Sequence, residues 1–180
     1  MQALSVPQPW AWAIARGHKG ILNRASNTGY RGPVAIYASF RANLGSCDRP
    51  MARAAAWDPA DPVAAIGGIV AVVSLAGVCA AAASGRPCRC GEWASAGKYH
   101  WRLVDPRPLQ WPVMALGHPG LWELTPVVAA GVARLLLGQA AAAVPRDATR
   151  TAPGEARRPA LSRPSARHRR RAVHPLRRPN

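Results

Sequence analysis

Apolar positions change their period several times along the chain. From Gln8 to Arg16, Trp10, Ala13 and Ile14 recur at helical spacing. Ser5 or Pro7 opens this segment and Gly17 stands where a C-terminal cap belongs, so a short helix is expected. Ile21 to Arg24 reads as a short strand, and Ser26-Asn27-Thr28-Gly29 as a turn. Gly32-Pro33 then leads into Val34 to Ser39, a β-branched and aromatic run that predicts a strand.

Residues 40–62 read as loop, with an Ala-rich helical turn at Met51 to Ala56. Pro62 to Ser84 carries no charge and has the length of a membrane span. Its centre is rich in Val, Ile and Gly, and its flanks lack an aromatic belt, so a buried strand at about 67–76 is the better reading. Residues 80–97 look irregular. Tyr99 to Val104 alternates as a strand, Asp105-Pro106-Arg107-Pro108 reads as a turn, and Leu109 to Met114 as another strand. Pro112 places that last strand at a sheet edge. Gly117 to Leu124 holds a glycine-rich turn. Residues 125–140 predict a helix with Pro126 in its first turn.

Beyond residue 144, Pro, Arg, Ala and Ser dominate and apolar periodicity ends, which predicts a disordered basic tail. The order of elements predicts an α+β class, with one small, mainly antiparallel sheet or barrel and flanking helices. The expected divisions are a domain at 1–124, a helical extension at 125–143 and the tail at 144–180.

Charge changes the picture most. The chain has 24 Lys and Arg against 8 Asp and Glu, a net +16. The tail, 146–180, holds eleven Arg and two acids, and so contributes +9; residues 1–145 contribute +7. A polyanion is the expected partner, nucleic acid before any membrane. Only Lys19 and Lys98 are lysines, and part of the arginine excess matches the composition of a GC-rich coding sequence.

Residues 1–17 lack the basic start, apolar core and small-residue cleavage site of a signal peptide. A cytoplasmic location is therefore expected, with Cys47, Cys79, Cys88 and Cys90 as free thiols. Cys79, Cys88 and Cys90, with His100 downstream, are weak metal candidates. Structural zinc sites usually space cysteines as C-x₂₋₄-C, and C-x-C matches poorly, so neither metal nor cofactor is expected. Phosphate-binding glycine loops and hydrolase or zinc-protease motifs are absent from the sequence.

The motifs are more specific than the composition. Leu4-Ser5-Val6-Pro7-Gln8-Pro9-Trp10-Ala11 is followed by Gly17-His18-Lys19, Asn23-Arg24 and Tyr30-Arg31-Gly32-Pro33-Val34-Ala35-Ile36-Tyr37-Ala38. Later come Ile66 to Val73, Tyr99-His100-Trp101-Arg102-Leu103 with Asp105-Pro106-Arg107-Pro108-Leu109, and Gly117 to Trp122. In this order, over residues 2–124, they resemble the ASCH domains, relatives of the RNA-binding PUA domains. The resemblance implies a PUA-like β-barrel of five or six strands and an RNA-binding cleft beside the first helix. Some small members are similar to amidohydrolases of acetylated cytidine, and others to ribonucleases.

By motif position, Gln8, Trp10, Lys19, Arg24, Arg31 and Tyr37 are the implied cleft residues. Their chemistry suits a single-stranded or flipped base: cations for phosphate, aromatic faces for stacking, an amide for a base edge. Plainer readings stand beside this one. Trp10 would serve equally as core with Trp12 its exposed neighbour, Arg24 as partner of an acid, and Arg31 as donor to loop carbonyls. Trp101 and Trp122 read better as core. In the hydrolase-like members a Lys such as Lys19 works with a hydroxyl residue three positions on. Here that position is Leu22, which has no acid, base or nucleophile and weighs against an enzyme. The expected partner is therefore RNA or a nucleotide, with no membrane and a monomer favoured.

Overall fold

Alternation along one strand divides the interior in two. In β3 (Gly32–Ser39), Val34, Ile36 and Ala38 enter one apolar cluster while Ala35 and Tyr37 enter another. Successive strand residues point to opposite faces, so a sheet covered on both sides buries both sets. The computed structural model describes residues 1–40 and 57–143, and the expected turn at Met51 to Ala56 and the tail at 144–180 lie outside them.

The strands are β1 (Gln2–Pro7), β2 (Ile21–Arg24), β3, β4 (Gly68–Cys79), β5 (Tyr99–Met114) and β6 (Leu121–Glu123). They form one sheet in the order β2-β5-β4-β3-β1-β6. Only β1 and β3 run parallel; the other four pairings are antiparallel. Register shifts at Ile36/Tyr37 and three more along β4–β5 curl the sheet. The α+β class and the mainly antiparallel curled sheet are as the sequence predicts.

Among the described residues two α-helices cover the faces. The first, α1 (Trp10–Ala15), buries Ala11, Trp12, Ala13, Ile14 and Ala15 against the Val34 face. Trp12, expected at the surface, is buried, because its indole N–H donates to Asp61 (2.9 Å) across the Pro62–Ala64 turn. The second, α2 (Pro126–Ala143), lays Val128, Ala129, Val132, Leu135 and Leu136 on the Tyr37 face. Gln139 anchors it by donating to the Pro108 carbonyl. This helix is long and apolar enough to cross a membrane, but one side of it packs on the sheet. It belongs to the same compact unit as the strands, Met1–Pro145.

Two local readings need correction. β1, a strand beside the first helix motif, is not predicted by the periodicity; it is only six residues long, and Ala3, Leu4 and Val6 are all buried. The turn expected at Asp105–Pro108 is a bend within one sixteen-residue strand, β5, where Asp105 takes a positive φ of 50°. β2 pairs only with Tyr99–Arg102, so among the described residues Pro106, Pro108 and Pro112 fall where β5 has β4 on one side and no strand on the other.

Candidate functional site

The C-terminal end of α1 sets the site. Gly17 adopts a φ of 78° just past the helix, a conformation glycine takes without steric cost. The chain then turns back, the Lys19 N–H bonds the Ala13 carbonyl, and β2 starts at Ile21. Lys19 is thereby only 6% exposed.

Its ammonium lies in a cleft of about 280 Å³ lined by Trp10, Leu22, Asn23, Glu92, Trp93 and Ser95. The Nζ atom sits 4.2 Å from the Trp93 ring centre and 5.5 Å from that of Trp10. The two indoles meet edge to face at 5.7 Å. Both faces attract the cation through their ring quadrupoles. Among the described residues Lys19 has no ion-pair partner and no side-chain hydrogen bond, and Glu92 does not come within salt-bridge reach. Burial lowers its pKa from the ordinary 10.5 to about 8.

One wall comes from the irregular segment between β4 and β5. Asn23 on β2 fastens it, donating to the Trp93 carbonyl (2.8 Å) and accepting from the Ser95 N–H (3.0 Å). The sequence reading missed Trp93, Asn23, Ser95 and Glu92 as site residues. An indole inside a stretch otherwise small and polar was the signal for Trp93.

The six implied residues do not all meet. Trp10 and Lys19 line the cleft. Arg24 follows Leu22 by two positions on β2 and so shares its face, the alternation of a strand. Its guanidinium carbon lies 5.5 Å from the Trp101 ring centre, it has no acidic partner among the described residues, and burial lowers its pKa. Arg31 is exposed and donates to the carbonyls of Thr28 (2.9 Å) and Tyr30 (2.6 Å), the plainer of its two readings.

Gln8 is 1% exposed, with its amide committed to protein. It donates to the carbonyls of Val63 and Ala65 and accepts from the Trp12 N–H, each at 3.0 Å. It braces α1 against the Pro62–Ala64 turn, away from any base edge. Tyr37 lies in the cluster on the opposite face, edge to face with Trp122 at 5.8 Å. Trp101 is buried as expected and Trp122 partly so.

The metal reading also changes. Cys79, Cys88, Cys90 and His100 converge, with all four ligand atoms within 4.8 Å of one another. The Ala81 backbone N–H and the neighbouring Cys90 thiol draw the Cys79 thiol down, and burial together with Cys79 pushes Cys90 up to about 12. The thiols of Cys79, Cys88 and Cys90 are free, and Cys47 lies outside the described residues.

No protein-family model matches the chain, and no curated protein matches it. Among solved structures it is similar to an ASCH protein from Zymomonas mobilis, at 13% identity and a TM-score of 0.45, over 74% of this chain and 94% of that one. Two mutants of the same Zymomonas mobilis protein match alike. One is 14% identical with a TM-score of 0.46, covering 74% of this chain and 96% of that one. The other is 16% identical with a TM-score of 0.44, covering 74% and 94%.

Proposed function

We propose that this protein binds RNA or a nucleotide by receiving one unpaired base in the Trp10–Trp93 cleft, with Lys19 bonding the ligand's oxygen. One observation carries this reading. A nearly buried ammonium with three N–H donors faces an open aromatic cleft and meets no protein acceptor among the described residues. The ammonium is open to the cleft, so water meets its donors there, and a partly desolvated charge gains from a fixed acceptor. A ligand carrying a carbonyl or phosphoryl oxygen would satisfy it, and the indole faces would stack a heterocycle. The ordered motifs that resemble ASCH domains support the same reading from sequence. Arg24, on the same strand face and without an acidic partner among the described residues, extends positive charge from the cleft along β2. The arginine-rich residues beyond 144 add salt-sensitive, sequence-independent attraction.

The test is a titration of labelled single-stranded RNA into the full chain and into Lys19→Ala, at two salt concentrations. Selective loss of the salt-resistant component in Lys19→Ala supports the reading. Equal binding by both proteins at both salts overturns it.

One observation favours a second reading, a lysine-dependent amidohydrolase of a modified nucleoside. With a pKa near 8, part of the Lys19 population is neutral near physiological pH, and Glu92 lines the same cleft. Leu22 is among the cleft residues too, so the position of the expected hydroxyl group is apolar. Turnover of an acetylated nucleoside that disappears in both Lys19→Ala and Glu92→Gln would establish this reading; its absence leaves the binder.

A further inference from the structure

We propose that Cys79, Cys88, Cys90 and His100 bind one zinc ion, which fastens the segment between β4 and β5 and so holds the Trp93 wall of the cleft in place. The ligand set follows from topology. Cys79 ends β4 and His100 lies at the start of β5, directly opposite each other in the antiparallel register. Residues 80–98 leave that hairpin and return, bringing Cys88 and Cys90 back over its end. Linear spacing hides the set, because two ligands come from paired strands and two from the excursion.

The geometry suits a single tetrahedral ion. Zinc–sulfur bonds of about 2.3 Å and zinc–nitrogen bonds of about 2.0–2.1 Å put tetrahedral ligands about 3.5–3.8 Å apart. The four ligand atoms here lie within 4.8 Å of each other, and Cys88 Sγ is 3.3 Å from His100 Nδ1. Small side-chain adjustments reach the bonded distances. A two-iron cluster, with its ligands divided between two metals, needs a wider set.

The histidine is already oriented. His100 is 1% exposed, and its Nε2 lies 2.8 Å from the Ser95 carbonyl. A carbonyl only accepts, so the proton resides on Nε2 and the Nδ1 lone pair faces the three sulfurs. Such outer hydrogen bonds fix the tautomer of zinc-bound histidines. Three thiolates and a neutral imidazole select a soft or borderline ion over magnesium or calcium. With zinc they give a net charge of −1, and Arg102 lines the adjoining cavity of about 200 Å³ together with Cys79, Cys90 and His100.

The segment has little else to hold it. Among residues 80–98 only Ala82 is buried, and the regular structure is one 3-10 turn, Ala82–Ser84. A stretch with so little apolar burial is the kind that a metal or a disulfide staples. Ser95, which receives the His100 N–H, also donates to Asn23 at the cleft. Metal site and cleft therefore share one loop.

The experiment uses the full chain produced with added zinc and dialysed against metal-free buffer. Elemental analysis is expected to find one zinc per chain. Cobalt exchanged for it should show tetrahedral d–d absorption and an intense thiolate-to-cobalt charge-transfer band. Cys88→Ser and Cys90→Ser should each lower zinc affinity at least tenfold, whereas Cys47→Ser should keep it. Zinc below a tenth of an equivalent in the parent chain, with an octahedral cobalt spectrum lacking charge transfer, overturns the site without relying on any variant. Retention of zinc in the Cys88→Ser, Cys90→Ser double variant overturns the ligand assignment. Trypsin tests the fastening: zinc removal should speed cleavage after Arg89 at least tenfold, and equal rates with and without zinc overturn that role. None of these readouts involves RNA, so a failure here and a failure of the cleft reading are separately visible.

Discussion

Two cations leave the C-terminal end of α1 within a turn of each other and enter different surroundings. Arg16 points outward and forms a two-point ion pair with Asp61, at 2.7 Å from Nε and 2.5 Å from Nη2. The same carboxylate accepts from the Trp12 indole and the Val63 N–H, and Arg16 holds its pKa below the ordinary carboxylate value. Lys19 points inward, is far less exposed, and has indole faces where Arg16 has a carboxylate. The first arrangement is complete within the protein and ties α1 to the Pro62–Ala64 turn. The second has no acceptor among the described residues, and the proposed binding rests on that difference.

The largest expected effect breaks the incomplete side. Lys19→Ala should weaken binding of single-stranded RNA ten- to a hundredfold, since a charge-assisted hydrogen bond contributes about 1.5–3 kcal/mol. Stability should move the other way. The folded pKa lies below the ordinary 10.5, so between pH 8 and 10.5 the unfolded chain holds more protons and stability rises with pH. At pH 7 the full desolvation penalty is present, offset in part by the indole faces. Lys19→Met is therefore expected to raise the Tm while abolishing the salt-resistant binding. In the parent chain that binding should decline above pH 8 and persist in Lys19→Arg, whose charge does not titrate there. A Lys19→Met protein that melts lower and binds normally would make Lys19 a core residue.

Next in size is Trp93→Ala, which removes one aromatic face. Base stacking on an aromatic side chain contributes about 1–3 kcal/mol, so affinity should fall at least fivefold with little change in the salt dependence. Trp93→Phe should recover most of it. Failure of Phe to rescue would mean that Trp93 acts through packing against Trp10 rather than as a stacking face.

The complete side should respond in stability alone. Asp61→Asn removes the ion pair and weakens the Trp12 contact, at an expected cost of about 1–2 kcal/mol, reduced by the exposure of Arg16. Because the folded pKa of Asp61 is depressed from 3.8, this contribution is present at neutral pH and lost as pH falls through and below that value. Acid unfolding of the parent and of Asp61→Asn should therefore converge at low pH. RNA affinity should be unchanged at pH 7.

Much of this was legible in the sequence, and the reasons for the rest are physical. The short helix ended by Gly17, the strands at Ile21–Arg24 and Val34–Ser39, and the long apolar strand after residue 67 follow from local pattern and turn chemistry. Lys19 and Trp10 were identified by motif. Gln8 and Tyr37 were not separable from them, because face assignment depends on which side of the sheet a helix covers, and α2 covers the Tyr37 side. Trp93 and Asn23 become neighbours only when β2 pairs with β5, and Cys79 meets His100 only through the β4–β5 register. Asp61 in its proline-flanked turn gave no sign that it would serve Trp12 and Arg16 together.

Arg31→Ala gives the smallest effect and the finest discrimination. The motif puts Arg31 with Lys19, whereas the structure has it donating to the Thr28 and Tyr30 carbonyls on an exposed loop. Both carbonyls are near water, so losing the donor should cost no more than about 0.5 kcal/mol of stability. If the guanidinium swings free to meet a phosphate, the salt dependence of binding should lose close to one phosphate's share of its slope while base preference stays the same. If it stays on the loop, the slope is unchanged. Arg24→Ala supplies the reference, because among the described residues its guanidinium has no acidic partner, and it shares the strand face of Leu22. A slope that falls for Arg24→Ala and holds for Arg31→Ala would confine the phosphate path to the β2 edge, beside the Lys19 cleft.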